Sequence, residues 1–271
     1  MTTPKDPKHV MLFIGVNTGA SRSRELFPVF GQAMGLINVE LRGVDFPPDT
    51  AHTALRPILQ QLRDTPLMRG ALITTHKLAA YEAGADMFAS CDDLAHEYGE
   101  VSCIYKDEKG QLHGWAADFD INRYILRSLL ESDHFARHAN ARAIVMGAGG
   151  AGLSVVQVLG ELFPNVRIDL TDVDAQRLAW AHRVCQARQQ VSVVDVRGGS
   201  PGNGELITAG GPGSFVVNAT GLGKDRPGSP LAASDFQWPG WTTIMAKVFG
   251  VELTDDLFEH VCQTVRTVDQ A

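Results

Sequence analysis

The sequence predicts an α/β protein in which an N-terminal α/β domain is followed by a second domain built on a parallel sheet. Three observations predict it. Short apolar runs alternate with helical stretches from the N-terminus onward. The alternation pauses at a polar turn, Lys106 to Gly110, and resumes after Asp118. The second series contains a strand that ends in a glycine-rich turn and runs straight into a helix.

The elements follow in order. His9 to Val16 is a buried strand, a short apolar run closed by Gly15 and a polar turn. Arg24 to Leu36 has helical spacing of Leu26, Phe27, Phe30 and Met34. Val39 to Phe46 is β-rich, Thr50 to Arg63 is amphipathic with Pro57 inside it, Gly70 to Thr75 is a further apolar run, and Lys77 to Ala83 is helical. Glu100 to Tyr105 and Leu112 to Ala117 flank the polar turn as a hairpin. Beyond Asp118, Asn122 to Leu130 is helical and Ala141 to Met146 is a buried strand. The glycine turn and its helix come next. Strand Val166 to Leu170, helix Ala175 to Arg188 and strands Val191 to Val196 and Phe215 to Ala219 complete the series. Arg197 to Gly204 reads as a flexible glycine-rich surface loop. Two short helices close the chain, Trp241 to Phe249 and Asp255 to Val265, the latter capped by Thr254.

Composition narrows the function. The 271 residues are 44% hydrophobic and 20% charged, enough for one large domain or two modest ones. A net charge of -7 leaves no basic excess for phosphates, which argues against a nucleic-acid partner. Cys91, Cys103, Cys185 and Cys262 lie far apart and read as small buried hydrophobes. No apolar stretch reaches membrane-span length, and the run after the N-terminus is short for a signal core, so the expected location is cytoplasmic. The nine His never meet acids or Cys at ligand spacing, so no metal is expected.

The run AIVMGAGGAG places Gly147, Gly149 and Gly152 in G-x-G-x-x-G spacing, with Gly150 between them, ahead of LSVVQVLGELF. The first glycine permits a tight turn, the second lets backbone approach a pyrophosphate, and the third allows close helix–strand packing. The helix N-terminus offers N–H groups and a positive dipole end to the phosphates. The second domain is therefore expected to be a Rossmann-type dinucleotide-binding domain, a glycine turn that only serves packing being the other reading. Asp172 ends the next strand, 25 residues beyond Gly147, where a carboxylate commonly accepts from the adenosine ribose hydroxyls and repels a 2′-phosphate. NAD is therefore expected in preference to NADP. A cap for the following helix is the other reading of Asp172.

With these pieces in place, the sequence resembles the shikimate dehydrogenase family from about Phe13 to Phe249. GVNTGASRSR, with Ser21 and Ser23, is similar to the family's Ser-x-Ser carboxylate site. GALITTHK resembles the segment ending in the family's catalytic lysine, here Lys77, with Thr74 matching its threonine. GEVSCI followed by GWAAD looks like G-A-V-N-T followed by G-x-N-T-D, which places the aspartate at Asp118 and substrate-binding Ser102 at the second asparagine. VVNATGLG, with Asn218 and Thr220, resembles the stretch against the nicotinamide. If Gly240 starts the last family helix, Lys247 takes the place of a substrate-touching glutamine.

The chemistry implied is hydride transfer on an alcohol: the carboxylate positions the ammonium and the lysine moves the hydroxyl proton. Such a lysine has to be tuned by its surroundings. Spacing alone leaves Lys77 open to being a solvated helix-start residue, Ser21 to being a helix cap, and Arg22 or Arg24 to being either solvated or a carboxylate partner. The chain also departs from the family: its hydroxyl-reading amides are replaced by Leu72, Ser102 and Ala116, and residues 219–240 are short for the strand and helix expected there. Buried polar pairs discriminate strongly between substrates, so similar chemistry on a different substrate is expected.

The expectation is thus an NAD-dependent oxidoreductase acting on a small carboxylated hydroxy compound, as a monomer or homodimer. Shikimate or quinate dehydrogenase proper and a degenerate NAD-binding protein are the alternatives. The substrate domain is expected over 1–117, completed by 239–271, and the NAD domain over 118–238, with the far edge of its sheet trimmed.

Overall fold

The computed structural model describes residues 8–36, 38–198, 201–223, 227–232, 235 and, for backbone alone, 244–247. The chain divides into two compact units, Met1–Ala117 and Asp118–Ala271. The expected helix from Asp255 to Val265 lies outside the described residues, as does most of 239–271.

In the first unit the chain runs β1 (His9–Gly15), a 3₁₀ turn (Thr18–Ala20), α1 (Ser23–Ala33), β2 (Val39–Asp45), α2 (His52–Asp64) and β3 (Met68–Ile73). It continues with α3 (Lys77–Gly84), β4 (Phe88–Cys91), α4 (Asp93–Tyr98), β5 (Cys103–Lys106) and β6 (Leu112–Trp115). The six strands stand in the order β2-β1-β3-β5-β6-β4. β1 pairs parallel with β2 and β3, whereas β5 runs antiparallel to both β3 and β6, so the expected hairpin is present.

The core strands are fully apolar inside: Leu12, Ile14, Ala71 and Ile73 are buried, and α2 turns Leu55, Leu59 and Leu62 inward at helical spacing. Lys106, at the start of the polar turn, is not a solvated residue. Its ammonium is buried and donates to the carbonyls of Leu62 (2.8 Å) and Thr65 (2.6 Å), closing the C-terminal end of α2. α1 behaves differently from its pattern: Leu26, Phe30 and Met34 are exposed.

The second unit contains α5 (Asp118–Leu129), α6 (His134–Arg137), β7 (Arg142–Met146), α7 (Gly150–Leu162), β8 (Arg167–Asp172) and α8 (Ala175–Val184). It ends with β9 (Val191–Asp195), α9 (Asn203–Gly210), β10 (Phe215–Asn218) and β11 (Ile244–Lys247). Its sheet is parallel throughout, in the order β11-β10-β7-β8-β9. Chain order thus reverses between β7 and β10. In open parallel sheets the crevice at such a reversal, outside the carboxyl ends of the strands, is where ligands bind.

Two expectations are corrected here. The segment from Trp241 to Phe249 is not a helix over Ile244–Lys247: these residues form β11, parallel to β10 with Asn218 opposite Lys247. The β-branched Ile244 suits a strand, and the unpaired edge of β10 supplies the partner. The far edge of the sheet is therefore occupied and not trimmed. The second correction concerns the glycine-rich loop after β9, whose end is the start of α9. Ile207 of that helix is buried in a cluster with Ile144, Met146, Val216 and Leu231.

Candidate active site

Within the first unit, the residues singled out by sequence gather at one edge of the sheet, where β1, β2 and β3 end and the antiparallel β5 begins. Ser21 follows the 3₁₀ turn after β1, and its hydroxyl accepts from the Ser23 N–H (3.2 Å) at the entry to α1. Both serines are half-buried. Thr74 follows β3; its N–H donates to the Ile14 carbonyl (3.0 Å), and its hydroxyl fills the space a side chain on Gly15 would need. Ser102 is buried beside it, its carbonyl accepting from the Ile73 N–H (2.8 Å) and its N–H donating to the Trp115 carbonyl (3.0 Å). Lys77 opens α3 and is only 7% exposed, so it is not a solvated helix-start lysine. The Lys77 carbonyl accepts from the Val101 N–H (3.2 Å), which ties α3 to the segment entering β5.

The same edge holds residues that the motif reading passed over. Thr18 is buried and its N–H donates to Asp45 Oδ1 (2.6 Å), joining the ends of β1 and β2. Buried His76 makes an edge-on contact with Phe46 and a 3.3 Å contact to the Phe46 carbonyl. Asp92 caps α4 through the Ala95 N–H (3.2 Å) and also accepts from the Ala116 N–H (3.0 Å), fixing the chain just past β6. Glu100 is completely buried, and burial pushes its carboxyl above the ordinary value, against the charge of nearby Lys77. The signal for Glu100 was a lone acid at the head of an apolar β-run. Asp118 belongs to the second unit, where it is the first residue of α5 and buried.

The second unit places the glycine turn at the reversal of its sheet. Gly147 has φ +105°, and a Cβ there would lie 2.6 Å from the Ala219 carbonyl; one on Gly152 would land on the Gly147 carbonyl. A Cβ on Gly149 would meet nothing within 4 Å, so the space in front of the second glycine is open. Gly149 precedes α7 and no side chain caps that helix, while Gly150 begins it half-buried. A glycine cradle, open space and uncapped helix N–H groups together fit the pyrophosphate of a dinucleotide.

Asp172 does not cap the following helix. Its Oδ2 accepts from the Ala148 N–H (2.7 Å) inside the glycine turn, and its Oδ1 accepts from Val173 (2.7 Å) and Asp174 (2.9 Å). The cap of α8 is Asp174, whose Oδ1 accepts from the Gln176 and Arg177 N–H groups (2.8 and 2.9 Å). Asn218 and Thr220 are bonded to each other, Oγ1 to Oδ1 at 2.7 Å, and shape the turn after β10. That turn is the wall on which Gly147 closes. Lys247 ends β11 at the same edge of the sheet. Among the described residues, no group of three or more His, Cys, Asp or Glu is arranged to hold a metal, and no helix is long and apolar enough to cross a membrane.

The fold is that of two α/β units, a mixed six-stranded sheet and a Rossmann-type parallel sheet with its glycine turn at the topological reversal. Among solved structures it is shared by shikimate and quinate dehydrogenases. Quinate dehydrogenase from Corynebacterium glutamicum, in complex with NAD, matches with TM-score 0.68 at 20% identity, covering 97% of this chain and 86% of that one. Shikimate dehydrogenase from Aquifex aeolicus matches with TM-score 0.67 at 18% identity, over 95% and 84% of the two chains. Shikimate 5-dehydrogenase from Thermus thermophilus, in complex with shikimate, matches with TM-score 0.65 at 22% identity, over 94% and 84%. No protein-family model matches the chain, and no curated protein matches it.

Proposed function

We propose that this protein is a nicotinamide-dependent oxidoreductase that interconverts a secondary alcohol and a ketone on a small carboxylated compound. The observation that carries the reading is Lys77: an ionisable amine withdrawn from solvent at the strand-end edge of the first sheet, in a chain whose second sheet ends in a glycine cradle. Solved neighbours of the same fold bind NAD, NADP+ or shikimate, which supports the substrate class and the cofactor type.

In this reading Gly147, Gly149, Gly150 and Gly152 hold the pyrophosphate against α7, and Asn218 and Thr220 form the wall beside the nicotinamide. The bound nicotinamide supplies the hydride acceptor or donor. Ser21, Ser23, Thr74 and Ser102 orient the substrate. Lys77 takes the hydroxyl proton during oxidation and returns it during reduction, and Asp118 stands at the position of the family's carboxylate. NAD is taken as preferred over NADP because a carboxylate that ends the second strand of such a domain, here Asp172, repels a 2′-phosphate. Three backbone N–H groups already occupy that carboxylate, which leaves room for about one ribose hydroxyl among its roughly four lone-pair positions. The substrate is expected to differ from shikimate and quinate, because Leu72, Ser102 and Ala116 stand where the family's amides read hydroxyls.

A panel of hydroxy acids, with shikimate and quinate included, tests the reading with both cofactors. Wild type should turn over at least one of them, and Lys77→Ala should lose about 10²–10⁴-fold in kcat while still binding NAD. Cofactor binding with no turnover of any compound favours a degenerate NAD-binding protein. Ordinary rates on shikimate or quinate overrule the substrate argument, and tighter binding of NADP than NAD overrules the role given to Asp172.

A further inference from the structure

Glu100 is a carboxyl group that the fold itself does not need. Its backbone N–H donates to the Ala95 carbonyl (3.2 Å) just past Gly99, whose φ of +61° ends α4; any residue makes that bond. The side chain is 0% exposed, and neither carboxylate oxygen has a hydrogen-bond partner among the described residues. A buried carboxyl without hydrogen bonds is costly, and an apolar residue would fill the position without that cost. Two charges act on it. Lys77 of α3 acts on it favourably and Asp92, ahead of α4, unfavourably. The backbone bond from Val101 to the Lys77 carbonyl holds the two segments side by side.

We propose that Glu100 is a positioning residue that works through Lys77, its carboxylate stabilising the ammonium form of the lysine. The proposal deepens the function given above and rests on its assignment of Lys77. Burial alone disfavours an ammonium, and a lysine emptied of its proton could not return one to a ketone. Glu100 offsets the burial without touching substrate. Removing its charge lowers the proton affinity of Lys77.

The test is an NMR titration of the Lys77 side chain in ¹³C-lysine-labelled protein, its signal assigned with Lys77→Arg, in wild type and in Glu100→Gln, Glu100→Leu and Glu100→Asp. The expected result is a midpoint about one pH unit lower in Glu100→Gln and Glu100→Leu, restored by Glu100→Asp. With a turned-over substrate, the limb of kcat/KM against pH that reports Lys77 should move by the same amount in the same direction. An unchanged midpoint in either neutral variant overturns the proposal. If neither folds, wild type decides: coupled groups titrate in shared steps, so the Lys77 signal must inflect with the Glu100 carboxyl signal, and independent curves overturn it. Because this titration needs no substrate, its failure is separate from a failure to find turnover.

Discussion

A side chain at Gly149 and one at Gly152 should have opposite consequences, although both residues belong to one motif. A Cβ at Gly152 falls on the carbonyl of Gly147, so Gly152→Ala should cost about 1–3 kcal/mol in a denaturant titration and weaken NAD as well. A Cβ at Gly149 meets nothing, and its φ of −82° is ordinary, so Gly149→Ala should unfold like wild type. It should nevertheless bind NAD at least about tenfold more weakly by calorimetry, because the methyl group enters the space the pyrophosphate needs. Glu100 gives a pH signature. Its folded-state carboxyl is raised above the ordinary 4.5 by burial, so the folded form retains the proton longer than the unfolded form. The associated stability is present below 4.5 and is lost as pH rises through the elevated value. Thermal melts between about pH 4 and 8 should show a decline that Glu100→Gln lacks. These residues differed in legibility. The glycines announced themselves because their spacing is the chemistry. Glu100 did not, because burial and a missing hydrogen-bond partner are properties of the folded chain alone.

Elements with a strong period were readable to within a few residues, and the weak ones were not. α2 and α7 bury a face or nearly all of their surface, and their patterns say so. β4 and α9 are different: Phe88–Cys91 is a short edge strand with two exposed residues, and Asn203–Gly210 is flanked by glycines on both sides. Local pattern carries little there, and pairing with β6 or packing of Ile207 on Ile144 decides. The segment that forms β11 reads as a short helix from its local sequence, whereas the open edge of β10 selects a strand. The cap of α8 makes a separate prediction at this scale. Asp174→Ala should cost about 1 kcal/mol, measured by chemical denaturation. Asp174 is held below its usual range chiefly by the Arg177 N–H, with Gln176 and the Arg177 and Arg197 charges helping. A depressed carboxylate contributes above its unfolded value and loses that contribution as pH falls through the folded value, so the difference between Asp174→Ala and wild type should vanish in acid.

For the whole molecule, the division into two units predicts where cofactor acts. On the proposed function, NAD at one hundred times its Kd would stabilise the state that binds it by about 2.7 kcal/mol. Hydrogen exchange should therefore slow most at the strand ends of the second sheet, from Gly147 to Leu153 and around Asn218 to Leu222, and protection concentrated in β1–β3 would contradict that placement. The two-unit plan was legible because the polar turn and the second glycine-led series are local signals. The gathering of Thr18, Thr74, Lys77, Glu100 and Ser102 at one edge was not, because it depends on β5 running against β3. The reversal of strand order between β7 and β10 has a last consequence, for synthesis. Gly147 lacks a side chain because of Ala219 and Thr220, residues added 72 and 73 positions later. A nascent chain that has emerged as far as α9 therefore carries every glycine of the motif but not the turn on which Gly147 closes. On the proposed function, ribosome-bound chains ending before Ala219 should not retain NAD, and chains that carry Ala219 and Thr220 clear of the ribosome should.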